Sequence, residues 1–168
     1  NLADSLLYEI DQYVLGGGKA LVFVDPHSEV ALAMGGSGML NPNAASVDSA
    51  LEKLLPNWGA QLVKEKVIGD ADHALGLQND PRKPVEYFVT LLGLSGEAIN
   101  QDDTITSGLE RLNIGVTGTL QPVEGSNIEF TPLLQSSVNS GLIDTYIIQP
   151  GIQQSEIQAA LKIDDQQH

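Results

Sequence analysis

A chain of 168 residues can bury a core without disulfide staples, and 42% hydrophobic residues with 17 glycines and 8 prolines are the proportions of a globular protein. The balance of 22 Asp and Glu against 8 Lys and Arg gives a formal charge of -14, and residues 85–168 carry 11 carboxylates against Arg111 and Lys162 alone. Such a surface repels phosphate backbones and anionic lipid, and the absence of cysteine excludes disulfides, thiolate metal sites and cysteine nucleophiles.

Residues 1–15 read as a helix, with Leu6, Leu7, Ile10 and Val14 at helical spacing and Asn1 or Asp4 as its cap. Gly16, Gly17 and Gly18 end it, since glycine reaches the left-handed conformation without a Cβ clash. The unbroken apolar run Ala20–Val24 then reads as a strand buried on both faces, ending in Asp25 and Pro26. A helix before a doubly buried strand is half of a βαβ unit, so a strand is expected before residue 1 and the chain is read as a piece of a larger protein. Residues 27–45, with Gly35-Gly36-Ser37-Gly38, form a long loop of the kind used as a lid.

A second amphipathic helix is expected from Ser46 through Leu55, tightened at Pro56 and closed at Trp58-Gly59. Short strands follow at 60–63 and 67–68, then a polar turn at 69–72 and a surface loop at 73–84. Further strands are expected at 85–94, 115–120, 128–134 and 145–149, with a short helix capped by Asp103 and a C-terminal helix opening at Ser155. Alternating helices and buried strands predict one α/β domain over 1–168, a three-layer, largely parallel open sheet with helices on both faces.

Several phrases occur together in order: Tyr8 to Leu15 leading into Gly17-Gly18-Lys19, Leu21 to Pro26, Trp58-Gly59 with Gly69-Asp70, Leu109 to Leu120, and Thr131 to Ser137. They resemble the soluble region of auxiliary components of uncharacterised ABC-type transport systems, the group that includes the gliding-motility auxiliary protein. The resemblance implies a flavodoxin-like or class I glutamine amidotransferase-like domain outside the cytoplasmic membrane. It also implies anchoring by segments outside these residues, and an ABC permease and ATPase as partners. It brings no catalytic motif and no cofactor.

The residues agree with a non-enzyme. Gly16-Gly17-Gly18-Lys19 fails as a phosphate loop, because Tyr13 and Ala20 stand where glycine and a hydroxyl residue belong. Gly36-Ser37-Gly38 fails as a nucleophile elbow at Met39, and Ser95 fails at Glu97. Asp70, Asp72 and His73 put two carboxylates and an imidazole within four residues. They would hold a cation only with ligands from elsewhere, so a solvated acidic turn is expected and no metal.

Ligands of open α/β sheets sit beyond strand ends, which points to Asp25, Pro26, His27 and Ser37 as the ligand- or partner-binding surface. The function expected is a non-catalytic accessory or binding domain of a transport system. A carbohydrate- or peptide-binding module, or an α/β hydrolase, is the alternative.

Overall fold

A computed structural model of the protein describes residues 3–26, 53–78, 80–149 and 151–168. The expected 27–45 loop and most of the expected 46–55 helix lie outside these residues, as do His27 and Ser37. The chain divides into two compact units, Asn1–Val63 with Leu120–Phe130, and Lys64–Thr119 with Thr131–His168.

In the first unit, α1 (Asp4–Leu15) buries Leu7 and half-buries Ile10 and Val14, while Leu6, the fourth member of the expected stripe, is exposed. Its cap is Ala3, with no side-chain hydrogen bond, so the expected cap at Asp4 is not found, and Asn1 lies outside the described residues. At the other end Gly17, at φ +89°, donates its N–H to Val14 O, and Gly18 donates to Tyr13 O. A 3-10 turn at Leu55–Trp58 carries Pro56 in its first turn and closes on Gly59 in the left-handed conformation. Strand β1 (Ala60–Leu62) pairs antiparallel with β6 (Leu120–Pro122).

Trp58 Nε1 donates to Asp11 Oδ1 at 3.0 Å, tying the turn to α1. Trp58→Phe removes this donor together with the five-membered part of the indole, so the loss is at least that of the hydrogen bond. The expected loss is at least about 1 kcal/mol, read from urea unfolding.

The second unit holds the larger core. Strand β2 (Lys66–Asp70) pairs antiparallel with β7 (Ser140–Asp144). Strand β4 (Glu86–Ser95) lies between β3 (Ala74–Leu77) and β5 (Arg111–Gly115), again antiparallel on both sides. Val67, Val89, Ile143, Ile148 and Ile157 form one buried cluster, the last of these from α2 (Gln154–Ala160). Ile68, Leu92, Leu94, Ala98 and Ile99 form the other.

Val116 leaves β5 at φ +45°, a costly conformation for a β-branched residue. It lets the chain bond in two directions at once. Val116 N–H donates to Thr90 O of β4, while Thr117 O accepts from Ile68 N–H of β2.

The expected parallel three-layer fold is therefore corrected. All strand pairs among the described residues are antiparallel, in three small sheets, and two α-helices accompany them. Parallel neighbours need a crossover of a dozen or more residues, usually a helix, between successive strands. Among the described residues between 60 and 144 no α-helix intervenes, and the strands there pair antiparallel.

The run Ala20–Val24 is not a strand. Leu21 and Phe23 are each 83% exposed, and Val22 and Val24 are half-buried. The expected loop at 73–84 contains β3, and the expected strand at 145–149 begins with a 3-10 turn, its place taken by β7. Nor does the Asp103 segment form a helix: Asp103 Oδ1 accepts from Ile105 N–H at 2.8 Å in a turn, and Ile105 is exposed.

Candidate functional site

The most heavily bonded polar group of the second unit is Asp70, the last residue of β2. It pairs directly with Ser140, the first residue of β7, so the turn leaving β2 faces the turn entering β7. Ala71 N–H extends the ladder to Asn139 O. The Asp70 side chain is fully buried between these turns.

Its Oδ1 accepts from Asp72 N–H at 2.9 Å, His73 N–H at 3.1 Å and Ser137 Oγ–H at 2.8 Å. Its Oδ2 accepts from Ser137 N–H at 2.6 Å and His73 Nδ1 at 2.8 Å. Burial pushes the Asp70 carboxyl up. The hydrogen bonds from His73 and Ser137 outweigh that and hold it below the usual carboxylate range. The group is thus an anion at neutral pH, and a carboxylate only accepts, so Nδ1 of His73 carries a proton.

The rest of the site is arranged around this carboxylate. Asn139 donates its N–H to Ser137 Oγ at 3.0 Å and its Nδ2–H to Asp72 Oδ2 at 2.8 Å. His73 O accepts from Gly93 N–H of β4, which binds the hub to the three-stranded sheet. His73 Nε2 has no hydrogen-bond partner among the described residues, and the side chain is 20% exposed.

An aspartate, a histidine and a serine side by side invite a nucleophilic reading, and the bonds oppose it. Ser137 Oγ gives its proton to Asp70, whereas a nucleophilic serine needs the imidazole as its base. A cation is opposed in the same way, because five donors converge on the two Asp70 oxygens and occupy their lone pairs. Among the described residues no group of three or more His, Asp or Glu side chains is placed to hold a metal ion. What the arrangement does chemically is fasten two turns and two sheets together.

Asp70, Asp72 and His73 are brought together as their spacing suggested. Ser137 and Asn139 were not foreseen, since each reaches the turn across 67 residues of chain. The signal was local: Ser136-Ser137-Val138-Asn139-Ser140 is turn composition. Asp25 is exposed and Pro26 half-buried, and they follow a run, 20–24, that is not a strand.

A buried carboxylate brace with no nucleophile–base pair defines no reaction class, and relatives supply the biological setting. The chain matches the family described as ABC-type uncharacterized transport system over residues 1–167, and it belongs to that family. No curated protein and no solved structure matches it. Among the described residues no helix is long and apolar enough to cross a membrane.

Proposed function

We propose that this chain is a non-catalytic accessory domain of its ABC-type transport system, acting by contact with the permease and ATPase on the extracytoplasmic side of the membrane. The observation that carries the non-catalytic reading is the direction of one proton. Ser137 Oγ–H points to the buried Asp70 carboxylate, so the Asp–His–Ser group supports a turn and activates no nucleophile.

The contact surface we assign starts at Asp25 and Pro26 and continues through His27 and Ser37. Leu21 and Phe23 support this, because large apolar side chains held out beside a carboxylate are the make-up of a partner surface. The test is co-isolation of the domain with the permease and ATPase of its own transport system, expressed together. Wild type is expected to be retained, and Phe23→Asp to reduce retention about tenfold or more. Absence of association, with turnover of ester, amide or glycoside substrates that is lost in His73→Ala, would overturn the proposal.

A further inference from the structure

The turn Ser136–Ser140 is gripped from two sides. On one side Ser137 gives both its N–H and its Oγ–H to Asp70. On the other lies the segment 162–168, which follows α2. Asp164 N–H donates to Ser140 O at 3.2 Å, Ser136 N–H donates to His168 O at 2.9 Å, and His168 N–H donates to Ser136 Oγ at 2.8 Å. Gln166 O lies 3.0 Å from Ser140 Oγ. The segment closes on itself as well: His168 Nε2 is 3.1 Å from each Asp164 oxygen, with the imidazole 4% exposed.

Two features mark this as a built seat. Gly141 has no side chain, and a Cβ there would collide with Lys162 O, so the segment runs directly against the backbone of β7. Ser136 and Ser140 are buried, with their hydroxyls 2.8 Å apart, and both also reach toward Ser137 O. The same short turn therefore touches the segment through its serine hydroxyls and the Asp70 carboxylate through Ser137.

We propose that residues 162–168 form a latch: seated, the segment holds the 136–140 turn against Asp70, and lifted, it frees Ser137 and with it His73. Packed two-state contacts of this kind carry coupling between places that do not touch. Displacement of this segment then alters the exposure of His73 Nε2, which has no hydrogen-bond partner among the described residues.

Amide hydrogen exchange on the full chain tests this with changes made only in the latch. In the double variant Asp164→Ala, His168→Ala, the amides of Asp164 and His168 are expected to lose protection. Those of Ser137 and His73 should follow by about tenfold, while Leu92 and Ile114 in the three-stranded sheet stay as in wild type. Gly141→Ala, which must displace Lys162, is expected to give the same pattern. Loss of protection in segment 162–168 with Ser137 and His73 unchanged would overturn the proposal. So would full protection of that segment in the double variant, since the contacts named would then not be what seats it.

Discussion

Asp70→Ala is expected to lower the unfolding free energy by roughly 3–5 kcal/mol, one of the largest effects available to a single substitution in this chain. The size follows from what is left behind. Five donors lose their acceptor in a place closed to water, two of them on Ser137 and two on His73. Asp70→Asn should cost less, roughly 2 kcal/mol, because the amide keeps one accepting oxygen. Its NH2 group must still face donors that pointed at a carboxylate oxygen. Urea unfolding at neutral pH ranks the two, and equal effects would contradict the bonding described.

The second large effect is expected at Gly141. The methyl of Gly141→Ala would collide with Lys162 O and meet Lys162 C at 2.9 Å, and those are backbone atoms that no rotamer change can move. Overpacking of this sort costs roughly 1–3 kcal/mol. Gly93 is the control. A Cβ there meets Leu75 Cδ2 at 2.6 Å, the end of a side chain that can swing aside. Gly93→Ala should therefore cost less than Gly141→Ala in the same thermal unfolding experiment.

The sequence was informative where chemistry is local. The stripe on α1 apart from Leu6, the glycine stop after it, the Pro56–Gly59 closure and the helix near Ser155 all rest on interactions within a few residues, and they stand in the structure. What failed rests on partners far along the chain. Ala20–Val24 has the composition of a buried strand, but strand propensity expresses packing against neighbours, and among the described residues this run has no neighbouring strand. The parallel sheet was inferred from alternation, and the strands of the second unit instead pair with segments that turn back on them.

The site divides in the same way. Asp70, Asp72 and His73 were legible as a polar turn because they are adjacent. That Asp70 is a buried acceptor, and that Ser137 completes it, depends on the register that sets Asp70 opposite Ser140. Register across 70 positions is not written in either turn alone. For that reason the acidic turn reads as solvated throughout in the sequence, whereas its Asp70 is buried in the fold while Ala71 and Asp72 stay exposed.

The claim that Asp70 is an ionised brace is tested most directly by the unfolding free energy of wild type and Asp70→Asn measured across pH. A carboxyl whose folded pKa lies below its unfolded value contributes stability that is fully present above the unfolded pKa, about 3.9 for aspartate. That contribution is lost as pH falls through the folded value. Taking the difference between the two proteins removes the titration of the other carboxylates. The account predicts a wild-type advantage at neutral pH that shrinks steadily below about 4. An advantage that stays level through that acid range, or no advantage at neutral pH, would contradict it.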